Sequence, residues 1–221
     1  THPILAKKAL QVALEEECVV STHFMESPAE RAWIDEGSGD FQTFFSAFNP
    51  HAKPMSSALE YLELFKQNKT LFTHAVQANK EELKTIANQK ATLTHCPVSN
   101  RLLGVGKLDI DAVEKANINL TLGTDGLSSN ISLNLWDEMR SALMMHPQTE
   151  LSHLATTLLQ SVTSNAAHAL GLSCGILKQG CYSDFIVTTL PQACECDDVA
   201  LQLILHTHQT HLTFIDGEKQ C

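Results

Sequence analysis

Apolar residues along the chain recur with two alternating periods. Near the start, Leu5, Ala9, Val12 and Ala13 lie on one helical stripe, with Pro3 at its first turn. A short β-rich run over 18–22 then reads as a buried strand. Helical spacing returns over 28–35 and among Phe41, Phe44, Phe45 and Phe48, separated by the breaker Glu36-Gly37-Ser38-Gly39-Asp40. The spacing predicts a helix over 58–66, capped at Ser56 or Ser57 with Glu60 closing a capping box. Strands are predicted over 70–73, 91–94 and 119–122, and helices over 80–88, 109–116 and 133–145. Strand followed by helix, four times over, calls for a parallel sheet with helices packed outside it.

Beyond Pro147 the pattern changes. Helices are expected over 151–159 and 165–170, a turn over 175–180, and strands over 184–189, 201–205 and 212–215, with Asp216-Gly217 as a hairpin signal. The expected architecture is α/β, half of a (β/α) barrel over 1–172 with part of a small β domain over 173–221. The Phe41–Phe48 stretch reads either as a packed face or as a lid over the barrel rim.

The strands end in chemically useful residues. Val19-Val20-Ser21-Thr22-His23-Phe24-Met25-Glu26, Leu71-Phe72-Thr73-His74, Ala91-Thr92-Leu93-Thr94-His95-Cys96-Pro97-Val98-Ser99-Asn100 and Leu120-Thr121-Leu122-Gly123-Thr124-Asp125-Gly126 occur in that order. A (β/α) barrel builds its active site from such C-terminal strand ends. A neutral His23 imidazole is a good zinc ligand. Glu26, three residues on, can move a proton between water and a substrate atom. His74 can polarise a water or stabilise developing charge. Asp125, between two glycines, presents a carboxylate able to ligate a metal and act as a base. His95 and Asn100 sit at the same rim, where Asn100 either meets substrate or braces the loop. Ser128, Ser129 and Asn130 either touch substrate or cap the following helix.

Charge and cysteine usage narrow the partners. Fifteen Lys and Arg against 25 Asp and Glu give a formal net charge of -10, which argues against nucleic acid or an anionic membrane. Seven cysteines at irregular spacings do not form a disulfide framework and fit a reducing cytoplasm. Cys194-Glu195-Cys196 and His206-Thr207-His208 with His211 read as incidental donors rather than metal sites. The chain opens on Thr1-His2-Pro3 and a helix, with no leading strand, and is expected to be a piece of a longer protein.

HFME, TH, HCPVSN and GTDG together resemble the deaminase and chlorohydrolase branch of the amidohydrolase superfamily, over residues 1 to about 190. His23-Phe24-Met25-Glu26-Ser27, Asn100-Arg101-Leu102-Leu103-Gly104 and Asn134-Leu135-Trp136-Asp137-Glu138-Met139-Arg140 are similar to its 6-amino-6-deoxyfutalosine deaminase group, which serves menaquinone synthesis. S-adenosylhomocysteine and methylthioadenosine deaminases are neighbouring groups. The resemblance implies that the chain is the C-terminal half of a TIM-like (β/α)8 barrel, strands 5–8, plus part of a small β-sandwich. With that fold come one divalent metal, Zn2+ favoured over Fe2+, and an aminopurine nucleoside substrate. It implies metal ligation by His23 and Asp125, a proton shuttle at Glu26, catalytic roles for His74 and Asp125, and substrate contacts from His2, Glu26, His95, Asn100 and Ser129. It also implies an HxH pair on a first strand, which this sequence lacks, and hence a complementary N-terminal polypeptide carrying it. The His23-to-His74 gap is longer than the family's, so an insertion is expected within 24–69. Two alternatives accompany this reading: a chlorohydrolase-type activity, and a non-catalytic binding or scaffold subunit.

Overall fold

The computed structural model describes residues 2–220. In chain order its elements are α1 (Pro3–Glu15), β1 (Val20–Phe24), α2 (Pro28–Glu36), α3 (Asp40–Ser46), α4 (Ala58–Glu63), β2 (Thr70–His74), α5 (Lys80–Asn88), β3 (Thr92–His95) and α6 (Pro97–Leu102). They continue with α7 (Ile110–Lys115), β4 (Asn119–Leu122), α8 (Leu135–Met145), α9 (Leu151–Ser161), α10 (Ser164–Leu170), β5 (Phe185–Val187), α11 (Val199–His206), β6 (Leu212–Ile215) and β7 (Glu218–Lys219). Strands β1 to β4 form one sheet in sequential order. The chain divides into two compact units, the first up to His95 plus Gly104–Asn119, the second Cys96–Leu103 plus the chain from Leu120.

In the first unit β1, β2 and β3 pair in parallel. Val20 faces Thr70, Phe24 faces His74, and Leu71 faces Thr92. One face of this ladder is a dry aromatic layer. Phe72 meets Phe24 and Phe65 edge-on, with centroids 5.6 and 5.2 Å apart, and Tyr61 stacks on Phe24. Leu62, Ile86 and Leu93 are fully buried beside them. Three helices, α2 to α4, fill the stretch between β1 and β2.

Local signals set the ends of these helices. Ser57 and Glu60 form the predicted capping box of α4, and Asn79 with Glu82 forms another at α5. Arg31 of α2 grips the buried Glu82 carboxylate through both oxygens, at 2.8 and 2.6 Å. That contact fastens α2 to the start of α5. Phe45 of α3 packs on Trp33 while staying partly exposed; Phe44 of α3 and Phe48 just beyond it are more exposed and touch rings of their own segment.

In the second unit α8, α9 and α11 pack together around Met139, Leu154, Leu158 and Ile204. Two sequence expectations change here. The stretch 201–205 is not a strand but belongs to α11. Its apolar residues Ala200 and Ile204 are four apart and both buried, a helical spacing that tertiary packing selects over β propensity. Arg140 completes α11 by donating to the carbonyls of Ile204 and Thr207 at 2.8 and 2.9 Å. The stretch after Cys96 is not a loop but α6, with Pro97 in its first turn, where a missing N–H costs nothing. The tail forms a three-stranded antiparallel sheet, β5-β6-β7. Asp216 and Gly217 both take positive φ, +52° and +77°, as a two-residue hairpin turn requires. Among the described residues, no helix is long and apolar enough to cross a membrane.

Candidate active site

The first unit gathers His23, Glu26 and His74. His23 near the end of β1 is exposed, while His74 ends β2 fully buried. Their rings stack with centroids 5.1 Å apart and planes at 27°. His74 Nε2 lies 3.7 Å from Glu26 Oε1. The ladder pairs Phe24, not His23, with His74, so strict alternation would turn the two rings to opposite faces. Left-handed backbone at His74 (φ +74°) and Ala75 (φ +48°) ends that alternation. Strain of this kind concentrates at functional sites.

The turn that carries Glu26 is clamped. Glu30 accepts from the backbone N–H groups of Met25 and Glu26 at 3.1 and 2.8 Å, and Ser27 Oγ accepts from Glu30 N–H. The loop after β2 also bonds back to this turn, Ala75 N–H to the Phe24 carbonyl and Gln77 N–H to the Met25 carbonyl. Met25 itself holds φ +48° and is completely buried. The Glu26 side chain is 25% exposed, enough to reach a ligand.

The second unit holds Asp125, which has φ +58°. Its Oδ1 accepts from the Gly126 N–H at 2.8 Å. Its Oδ2 accepts from Ser99 Oγ at 2.8 Å and Ser129 Oγ at 3.0 Å, and the two hydroxyl oxygens are 2.9 Å apart. These donors fix the orientation of the carboxylate. Ligating carboxylates are held by hydrogen bonds in this way, so the donor set fits a metal ligand.

A buried carboxylate stands behind this group. Glu138 of α8 accepts from the Val98 N–H at 3.1 Å and from Asn130 Nδ2, and Asn130 Nδ2 also donates to the Thr124 carbonyl. Burial pushes the Glu138 carboxyl up from its ordinary value, against the donated hydrogen bonds of Asn130 and Val98. The adjacent Asp137 goes the other way. Hydrogen bonds from Arg140 and then Ser132 hold its carboxyl below the ordinary range.

The remaining candidates are placed as follows. His95 ends β3 in the first unit and Asn100 lies on α6 in the second; both are fully buried. His2 is exposed, and its ring Nδ1 accepts from Ile4 N–H at 3.2 Å, so it caps α1. His23 and His74 in the first unit and Asp125 in the second each offer a donor atom of a type that metals take. Sequence reasoning missed Ser99, Glu30 and Glu138. Ser99 stands inside the HCPVSN motif, but its partner is 26 residues away, and no local pattern announces such a bond.

The amidohydrolase family model matches residues 1–219. Aminodeoxyfutalosine deaminase of a Nitratiruptor species is 43% identical over 219 residues, which is 99% of this chain and 54% of that protein. The crystal structure of Helicobacter pylori aminofutalosine deaminase in complex with methylthio-coformycin superposes with a TM-score of 0.94 at 33% identity, covering 100% of this chain and 55% of that one. Atrazine chlorohydrolase TrzN from Arthrobacter aurescens TC1, complexed with zinc, superposes with a TM-score of 0.77 over 98% of this chain and 47% of that one; at 22% identity it shows the fold alone. The chain thus spans about half the length of the curated relatives it matches.

Proposed function

Because this chain belongs to the amidohydrolase family, we propose that it supplies the C-terminal half of a metal-dependent hydrolytic deaminase acting on an aminopurine nucleoside. The carrying observation is the His23–Glu26–His74 group at two adjacent strand ends, where an imidazole stack and a carboxylate meet. The aminodeoxyfutalosine deaminase relative supports 6-amino-6-deoxyfutalosine as the substrate, with S-adenosylhomocysteine and methylthioadenosine as related candidates. In this reading 1–172 is the barrel portion, strands 5–8, and 173–221 part of a small β domain.

His23 and Asp125 would hold one divalent ion, zinc in preference to iron, given imidazole and carboxylate donors. Such an ion lowers the pKa of a bound water toward about 7. Asp125 accepts the proton of the attacking water at a carboxylate oxygen. Glu26 delivers a proton to the purine ring nitrogen beside the carbon under attack. The new C–O bond forms at the carbon bearing the amino group. Glu26, now a carboxylate, takes the proton of the new hydroxyl group and passes it to the departing ammonia as the C–N bond breaks and the carbonyl forms. The proton held by Asp125 then restores Glu26. His74 donates a hydrogen bond to the oxygen on which charge develops. His2, His95, Asn100 and Ser129 are assigned to substrate contact. Two further imidazole ligands are supplied by a complementary N-terminal segment carrying HxH. The exposed Ile4, Leu5 and Val12 of α1 provide apolar surface for that segment.

The test begins with intact mass and metal analysis of the purified protein, followed by ammonia release from the three nucleosides. About one zinc or iron per HxH-bearing assembly, with turnover of an aminopurine nucleoside, supports the reading. Glu26→Gln should then abolish turnover with metal still bound. Full turnover by that variant, or metal-loaded protein inert toward all three substrates, overturns it.

A further inference from the structure

Glu138 is 1% exposed and bonds to residues 8 and 40 positions away in sequence. A buried carboxylate is costly unless every lone pair is used. Here one oxygen, Oε2, accepts from the backbone N–H of Val98 at 3.1 Å, in the first turn of α6. The other, Oε1, accepts from Asn130 Nδ2. Asn130 in turn spends its second amide hydrogen on the Thr124 carbonyl, and its Oδ1 accepts from Ile131 and Ser132 N–H at 2.7 and 3.2 Å. All four hydrogen-bonding positions of that amide are therefore in use.

The two arms of Glu138 end on either side of one functional group. The Asn130 arm holds the peptide immediately before Asp125, whose backbone sits at φ +58°. The Val98 arm holds the residue immediately before Ser99, whose hydroxyl donates to Asp125 Oδ2 at 2.8 Å. We propose that Glu138 is a positioning residue that sets Asp125 and its hydroxyl donor Ser99 in register, through Asn130 on one side and Val98 N–H on the other. Ser132 Oγ, donating to Asp137 Oδ2 at 2.8 Å, ties the far end of the same loop to the first turn of α8. Neither arm can be replaced by solvent, because Val98, Asn130 and Glu138 are all buried.

The requirement for two acceptors makes the idea testable. Glutamine keeps the shape of Glu138 but offers one acceptor oxygen. Its NH2 would face a donor, either Val98 N–H or the Asn130 amide, and one arm must open. The proposal rests on the assignment of Asp125 to the proposed chemistry, but its primary readout does not. Amide hydrogen exchange is measured on the assembled protein carrying Glu138→Gln, alongside Asn130→Ala, which cuts the loop arm alone. Expected for Glu138→Gln is about 10-fold faster exchange across 96–103, across 123–134, or across both, with the rest of the chain unchanged. Asn130→Ala should speed exchange in 123–134 and leave 96–103 protected. Unchanged exchange in both segments, or a uniform increase across the chain, overturns the proposal. Should Glu138→Gln fail to fold, the segment-specific response of Asn130→Ala decides alone.

Where the wild-type protein turns over, Glu138→Gln should also lower kcat or metal affinity about 10–100-fold, with KM within about 3-fold of wild type. Restoration of kcat by Glu138→Asp, which keeps both acceptors, would mark positioning rather than bulk stability. If the wild type is inert toward nucleosides, the deaminase reading fails, and the exchange experiment still judges Glu138.

Discussion

The ring of His74 stacks on that of His23 although β-ladder pairing sets their Cα positions on opposite faces. The last residue of β2 has left the extended region, and the resulting turn of the backbone brings the two imidazoles to 5.1 Å. In the proposed deaminase, a buried imidazole 3.7 Å from Glu26 would answer charge that Glu26 and the substrate exchange. In the proposed assembly, His74→Ala is expected to lower kcat by about 10²- to 10³-fold, the usual cost of one preorganised donor. KM should change little. Steady-state kinetics with metal content measured in parallel checks this, and a KM effect alone would assign His74 to substrate binding instead.

Glu30 should matter to stability out of proportion to its half-buried position. It accepts from two consecutive backbone N–H groups at the end of β1 while its own N–H is capped by Ser27. Glu30→Ala leaves both donors without this acceptor and should cost about 1–3 kcal/mol. Ser27→Ala should cost about 1 kcal/mol through the lost cap. Urea unfolding of the two variants reads these values. A Glu30→Ala variant as stable as wild type would show that water replaces the carboxylate without loss.

Much of this arrangement was legible in the sequence because it is local. Capping at Ser57, the Asp216-Gly217 hairpin, and the strands over 70–73 and 119–122 all follow from patterns within a few residues. The stretch 201–205 misled because a short apolar run fits either a strand or a buried helix, and packing against α8 and α9 decides between them. The Cys96-Pro97 stretch misled because proline reads as a loop signal while also being a favoured first helical residue. Ser99, Asn130 and Glu138 act through bonds spanning 26, 8 and 40 residues, distances over which periodicity carries no information.

The Arg31–Glu82 pair offers a further test. Glu82 is 2% exposed and Arg31 21%, and both carboxylate oxygens are engaged by one guanidinium nitrogen. Glu82 also closes the capping box of α5 by accepting from Asn79 N–H. Removing one partner of a buried pair costs about 3–5 kcal/mol; the partial exposure of Arg31 brings the expectation for Arg31→Met to about 2–3 kcal/mol. Glu82→Ala should cost more, because the cap goes too. A double-mutant cycle by thermal or urea unfolding separates the pair from the cap, and a coupling energy near zero would reduce the contact to geometry.

Two neighbouring carboxylates on α8 should give stability opposite pH slopes. Asp137 is held below its ordinary value of 3.8 by hydrogen bonds from Arg140 and Ser132. A depressed folded pKa means that the unfolded chain binds the proton more readily. Its contribution is full above about pH 4 and fades as pH falls through the folded value. Glu138 is raised above its ordinary 4.5 by burial, so the folded chain binds the proton more readily. Its contribution is full below that value and declines as pH climbs through the folded one. Asp137→Asn should therefore lose stability at neutral pH, with the gap to wild type closing in acid. For Glu138→Gln the pH-dependent part of the gap should run the other way, shifting in favour of the variant as pH rises from 4.5. Unfolding free energies of both variants and wild type between about pH 3 and 7 would reveal the slopes, and parallel pH curves for wild type and Asp137→Asn would remove Asp137 from the acid response.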